Sequence, residues 1–216
     1  LLDQLDHQYV EEIDWVRQTQ ADFPPTVYGD SLWVVPHWCE APAQAKTVIR
    51  IDPGLAFGTG QHETTALCLD WLDAQPINGL RILDVGCGSG ILALAALMKG
   101  AAQAFGTDID PQALKASRDN AALNAIAASR LWLGLPDDLP ASERFDFLIA
   151  NILAQPLIEL APILAPHIKV GGRFALSGIL KEQAQAVAAQ WLAQGLLIDE
   201  IETRGDWARV SGHRAH

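Results

Sequence analysis

The sequence is short of cysteine, short of positive charge and without a long apolar run. Its three cysteines, Cys39, Cys68 and Cys87, form no Cys-x-x-Cys pair and are odd in number. That spacing supplies neither a disulfide framework nor a metal site, and it fits a reducing compartment. Lys and Arg number 15 against 26 Asp and Glu, a net charge of −11. Such a charge repels a phosphate backbone, so nucleic acid is not expected as the main partner. Asp3, Asp6, Glu11, Glu12, Asp14, Asp22 and Asp30 crowd the first thirty residues against Arg17 alone. A basic partner would suit that surface, although acidity of this kind also serves solubility. The richest apolar stretch, Ile91 to Met98, is stopped by Lys99 and Gly100, too early for a membrane span. The start carries no basic segment leading into an apolar one, so a cytoplasmic location is expected. The first residue is Leu1 rather than Met, and a further region upstream is expected.

With 50% apolar and 19% charged residues over 216 positions, the chain has the make-up of one large globular domain, or one domain with an appendage. Leu2, Leu5, Tyr9, Ile13 and Val16 recur at steps of three and four, which predicts an amphipathic helix over about 2–18. Phe23-Pro24-Pro25 ends it, and extended segments are expected at 31–36 and 47–52. The expected division is an N-terminal linker helix and short extended segment over 1–50, followed by a main domain over 51–216. There, apolar strands at 81–85, 103–107, 130–133, 145–150 and 173–176 alternate with helical patterns at 64–73, 91–99, 111–124, 155–166 and 180–194. That alternation predicts an α/β fold with a mainly parallel sheet and helices on both faces. A hairpin over 197–211, turning at Gly205-Asp206, is expected to add an antiparallel edge.

The sharpest local signal is Ile82-Leu83-Asp84-Val85-Gly86-Cys87-Gly88-Ser89-Gly90. An apolar strand runs into three glycines and then a helix, a turn that lets a ligand approach backbone amides and a helix N-terminus. A dinucleotide fingerprint needs its third glycine one place later, where Ile91 stands, which argues against a nicotinamide cofactor. Asp108 lies 22 positions after Gly86, at the end of the next strand, where a carboxylate can hold both hydroxyls of a ribose. Asp110 competes for that role, although Pro111 makes it equally suited to cap a helix.

The stretch "LDVGCGSG" at 83–90 followed by "GTDID" at 106–110 resembles motif I and the following acid of class I S-adenosylmethionine-dependent methyltransferases. "DPGLAFGTGQHETT" at 52–65, "NILAQPL" at 151–157 and "LSGIL" at 176–180 narrow the likeness. On these motifs the chain is identified as a member of the ribosomal protein L11 methyltransferase family, PrmA. The resemblance implies a class I sheet in the order 3-2-1-4-5-7-6 with strand 7 antiparallel. It also implies S-adenosylmethionine as donor and amino groups of ribosomal protein L11, lysine side chains and the N-terminal amine, as acceptors. Matched position by position, Thr65, Gly86, Gly88, Asp108 and Asn151 fall on donor-binding positions, and Phe57 and Gly58 are expected to close over the methionine end. Asn151 and His62 are the candidate catalytic residues. Asn151 would hold the nitrogen to be methylated, and His62, which also suits a structural hydrogen bond, would assist proton removal.

Two departures stand out. Ile152 and Leu153 replace the prolines of the related N-P-P-Y motif, from which a looser loop that admits a flexible amine is expected. Gln61 and Glu63 replace the Thr and Pro usual in "GTGTHPTT", and Glu63 adds a carboxylate attractive to a cationic substrate. The family normally carries a separate N-terminal recognition domain, so retained donor binding with weakened activity on the protein substrate is expected of this chain. A monomer is expected. The competing readings are a methyltransferase of another amine or amide, and a donor-binding fragment without catalysis.

Overall fold

The computed structural model describes residues 23–52 and 61–215. The helix expected over 2–18, together with Phe57 and Gly58, lies outside them. The chain first forms a small sheet of β1 (Thr26–Tyr28), β2 (Leu32–Pro36) and β3 (Thr47–Ile51). β1 and β2 are antiparallel across the Gly29-Asp30 turn, and β2 and β3 are parallel. Helix α1 (Glu63–Asp73) leads into β4 (Arg81–Val85), α2 (Ile91–Met98), β5 (Gln103–Thr107), α3 (Pro111–Leu123), β6 (Leu131–Gly134), β7 (Phe145–Asn151) and α4 (Ala154–Leu164). β8 (Ile168–Leu180), α5 (Ala184–Leu192), β9 (Leu196–Arg204) and β10 (Trp207–Arg214) complete the fold.

The large sheet has seven strands in the order β6-β5-β4-β7-β8-β10-β9. Counted from its own first strand, that reads 3-2-1-4-5-7-6. From β4 the chain winds outward through β5 and β6, then returns to the other side of β4 with β7. A ligand crevice belongs at that switch point, outside the carboxyl ends of the strands. The antiparallel strand is not the outermost one: β10 lies between β8 and β9, antiparallel to both, and β9 forms the edge.

Parallel strands covered on both faces are apolar on both, and the period of two sends neighbours to opposite sides. Ile82, Phe147 and Ile149 face one core with α1 and α2, while Leu83, Val85, Leu148 and Ala150 face the other with α4 and α5. Every residue of α2 from Ile91 to Leu97 is buried. A helix apolar all round needs cover on every side, and the small sheet supplies it, because Tyr28, Leu32, Val34, Ile49 and Ile51 belong to the same core. The division expected at residue 50 therefore falls inside β3, in a sheet that shares its core with the main domain. On the opposite face Trp191 stacks on Phe174 with centroids 5.0 Å apart and donates Nε1–H to the Leu157 carbonyl at 3.0 Å.

Two bindings hold α1 where its first turn can face the crevice. Asp73 near its end accepts from the Asp30 and Ser31 amides at 2.7 and 3.0 Å. Arg209 of β10, only 2% exposed, donates to the Leu67 carbonyl at 3.0 Å and pairs with Glu200 and Glu202 at 2.6 and 2.7 Å.

β8 is far longer than the segment expected at 173–176. Lys169-Val170-Gly171-Gly172 reads as a turn, and Gly171 does take a φ of +76°, yet the strand runs through it with a shift of register against β7 between Phe145 and Phe147.

Candidate active site

Strand register builds the site. Val85 of β4 is level with Thr107 of β5 and with Ala150 of β7, so the next residue of each strand, Gly86, Asp108 and Asn151, emerges at one height. Beyond β4 the chain turns through Gly86, Gly88 and Gly90, all in the left-handed region with φ of +71°, +54° and +80°. The turn is tied to β5 through its amides: Gly86 and Cys87 donate to the Thr107 carbonyl at 2.8 and 3.0 Å. The Asp108 carboxylate accepts from Gly88 N–H on one oxygen and from Asp110 N–H on the other, each at 2.9 Å. The two amides orient Asp108, whose other lone pairs suit a diol. Asp110 is placed otherwise: exposed, it caps α3 by accepting from Gln112 N–H at 2.8 Å, with Pro111 behind it.

Below the turn lies Asp84, 1% exposed. One oxygen accepts from Ala93 N–H at 3.0 Å; the other, Oδ1, has no hydrogen-bond partner among the described residues. Burial, with the Asp108 charge adding to it against the Ala93 bond, pushes its pKa up to about 7. Burial likewise pushes the Cys68 thiol up to about 12 and raises the Cys87 thiol strongly. Both are therefore protonated near neutrality and poor nucleophiles.

Asn151 closes the other side. Its Nδ2 donates to the Thr65 hydroxyl at 3.1 Å, with Thr65 fully buried in the first turn of α1, while its Oδ1 is buried without a hydrogen-bond partner among the described residues. The loop after Asn151 is not loose, contrary to the expectation from its missing prolines. Ile152 N–H donates to the Ser177 carbonyl at 3.1 Å. Its Cγ2 occupies the space a Cβ on Gly86 would need, 2.3 Å away, and its carbonyl oxygen lies 2.4 Å from where a Cβ on Gly178 would sit. An aliphatic wedge against two glycines replaces proline rigidity.

His62 is the N-cap of α1. Its Nδ1 accepts from Thr64 N–H at 3.4 Å and lies 2.8 Å from the Thr64 hydroxyl, and the ring packs edge-on against Trp207 with centroids 4.7 Å apart. Glu63 opens the helix, where a carboxylate meets the positive end of the dipole. With Asp30, Asp70 and Arg204 it lines an open groove of about 650 Å³.

Three buried or half-buried polar residues, Ser117 and Asn120 on α3 and Asn124 just after it, escaped the sequence reading. Ser117 donates to the Gly88 carbonyl at 2.8 Å, and Asn120 to the Ser89 carbonyl at 2.9 Å. Asn124 brackets Arg50, accepting from its N–H at 2.8 Å and donating to its carbonyl at 2.7 Å. Their spacing of three and four residues on one helical face was the available signal.

A doubly wound seven-stranded sheet with one antiparallel strand, and a glycine turn after β4 facing an acid at the end of β5, defines a class I S-adenosylmethionine-dependent methyltransferase. Solved structures agree on the fold: a magnesium protoporphyrin IX methyltransferase from Synechocystis PCC 6803 superposes with a TM-score of 0.58 at 16% identity, over 72% of this chain and 84% of that one. The family described as "Ribosomal protein L11 methyltransferase (PrmA)" matches residues 2–215, and the chain belongs to it. A ribosomal protein L11 methyltransferase from Pseudomonas syringae pv. tomato is 55% identical over 207 residues, covering 96% of this chain and 70% of the relative. One from Chromohalobacter salexigens is 54% identical over 209 residues, covering 97% and 70%. The crystal structure of a ribosomal protein L11 methylase from Lactobacillus delbrueckii subsp. bulgaricus gives a TM-score of 0.79 at 33% identity, over 90% of this chain and 99% of that one.

Proposed function

We propose that the chain transfers methyl groups from S-adenosylmethionine to amino groups of ribosomal protein L11, lysine side chains and the N-terminal amine, and that Asn151 receives the amine. The observation that carries the reading is Asn151 Oδ1, buried at the mouth of the switch point without a hydrogen-bond partner among the described residues, while Nδ2 is anchored on Thr65. A buried acceptor left unpaired is destabilising by about 1–3 kcal/mol, and an incoming N–H would satisfy it. Accepting that hydrogen directs the nitrogen lone pair and holds the nucleophile in line, the main contribution open to a site with no activated nucleophile of its own.

The donor supplies an electrophilic methyl on a sulfonium. Asp108 is proposed to hold the ribose hydroxyls, the Gly86 and Gly88 turn to let the donor lie against backbone, and Thr65 with Phe57 and Gly58 to surround its methionine end. The His62 ring, with Nδ1 engaged in the cap, is proposed to hold the start of α1 and so to orient Thr65, a role that suits its contacts better than proton removal does. A lysine must reach the site neutral, and desolvation beside a positive sulfonium lowers its pKa. The acidic groove beside Glu63 and the net charge of −11 support a basic protein rather than nucleic acid as substrate. The reading places the reaction in the cytoplasm, with the chain acting as a monomer; among the described residues no helix is long and apolar enough to cross a membrane.

Calorimetric titration with S-adenosylhomocysteine tests the donor half. Asp108→Ala should weaken binding about thirtyfold or more, because two hydroxyls lose a charged acceptor and Gly88 N–H loses its partner. Equal binding by both proteins would remove Asp108 from the site. Asn151→Ala should leave that affinity within about threefold while methyl transfer to ribosomal protein L11 drops at least about a hundredfold; undiminished transfer would overturn the acceptor assignment.

A further inference from the structure

We propose that Asn120 is a positioning residue for the donor-binding turn, acting through the Ser89 carbonyl, which it holds with one end of its amide while the other end holds Asp52, just after β3. The inference rests on the glycine turn being the donor site.

Asn120 is fully buried in α3. Its Nδ2 donates to the Ser89 carbonyl at 2.9 Å and its Oδ1 accepts from Asp52 N–H at 3.0 Å. Both ends are used, and both partners are backbone groups of segments distant in sequence. Thr107 and Asp108 hold the Gly86, Cys87 and Gly88 amides of that turn, and α3 holds the Gly88 and Ser89 carbonyls. Gly88 and Gly90 both take left-handed dihedrals, open to glycine over a wide range, so the direction of each peptide plane depends on what grips it. Ser117 grips the Gly88 carbonyl and Asn120 the Ser89 carbonyl. In a trans peptide the C=O and N–H point opposite ways. Drawing the Ser89 carbonyl toward α3 therefore turns Gly90 N–H away from it, onto the Cys87 carbonyl at 2.8 Å. That bond closes the turn, and Gly90 is the N-cap of α2.

The second grip has a geometric basis. Asn120 and Asn124 are one helical turn apart, about 6 Å along the axis. Residues 50 and 52 present amides on the same edge about 6.6 Å apart. The two asparagines thus match alternate residues of an extended chain and serve that edge as a neighbouring strand would, Asn124 on Arg50 and Asn120 on Asp52. Asn124 touches the small sheet without touching the turn. Asn120 touches both, and that difference separates fold support from donor positioning.

The test is donor affinity against stability in the intact chain, with S-adenosylhomocysteine as probe. Asn120→Ala should weaken binding about tenfold or more, and Asn124→Ala, though lowering the melting temperature, should stay within about twofold of the parent. Asn120→Asp keeps an acceptor for Asp52 N–H but sets an oxygen against the Ser89 carbonyl, so it should bind as weakly as Asn120→Ala; it also supplies a second reading if the alanine variant does not fold. Parent-like affinity in either Asn120 variant would overturn the proposal, and so would an equal loss in Asn124→Ala, since the effect would then follow general loosening. Failure of the parent chain itself to bind would count against the donor-site reading instead.

Discussion

Gly178→Ala is expected to lower the melting temperature by about 6–12 °C, corresponding to about 3 kcal/mol. Two effects add. Gly178 has a φ of +83°, where an L side chain costs about 1 kcal/mol. Its new Cβ would also lie 2.4 Å from the Ile152 carbonyl oxygen and 2.9 Å from the Ile152 nitrogen, backbone atoms that move only with the strand end carrying Asn151. Overpacking of that kind costs typically about 1–3 kcal/mol. Gly79→Ala separates the two, because Gly79 has a φ of +77° with nothing within 4 Å of the added Cβ. Thermal melts of both variants should show the Gly79 change losing only the backbone part. Equal losses would mean that Ile152 yields freely and is no wedge. Methyl transfer by Gly178→Ala should fall further than its stability explains, since the displaced segment presents the Asn151 amide.

Asp84→Asn is expected to stabilise the chain at pH 8 and not at pH 5. Unfolded, this carboxyl titrates near its ordinary value of 3.8; folded, burial first and the Asp108 charge second push it up to about 7. Between those values the folded chain holds a proton that the unfolded chain has released. Stability from this group therefore falls as pH rises from about 4 to about 7, and the deficit stays constant above that. A shift of about three units corresponds to roughly 4 kcal/mol as a ceiling. Asparagine removes the buried charge but puts an NH₂ where Oδ1 has no partner, which returns about 1–3 kcal/mol of that. The balance at pH 8 is a gain of about 2 kcal/mol, or about 4–8 °C, measured as the difference in melting temperature between variant and parent. The same difference at both pH values would show that Asp84 does not hold a raised pKa.

What could be read from the sequence was what local pattern carries. Arg81–Val85 and Gln103–Thr107 are apolar runs bounded by glycine and polar residues, and both stand as strands with the expected ends. The place of Asp108 at the end of β5, beside the glycine turn, was legible from its distance from Gly86, a spacing set by one strand-helix-strand unit. Contacts made by remote segments were out of reach. Thr26–Tyr28 is too short to show a period, and Lys169–Gly172 has the composition of a turn while lying in a strand. Missing prolines after Asn151 implied looseness, because nothing near Ile152 in the sequence announces Gly86 and Gly178 pressed against it. Ser117, Asn120 and Asn124 read as the polar face of a surface helix. Only the fold reveals that this face meets the Gly88 and Ser89 carbonyls and an open strand edge.

The place of β10 bears on the order in which the protein can be made. β9 hydrogen-bonds only to β10 among the described strands, and β10 is the last of them, inserted between β8 and β9. During synthesis β9 therefore leaves the ribosome before the strand that will hold it, and Arg209, which fastens α1 through the Leu67 carbonyl, arrives with that later strand. Placing β10 joins Arg209 to Leu67, a contact 142 residues apart in sequence, and a closure of that range comes late and slowly. Chains halted before Trp207 would carry an assembled glycine turn on an unfinished sheet, with β8 exposed as an open edge.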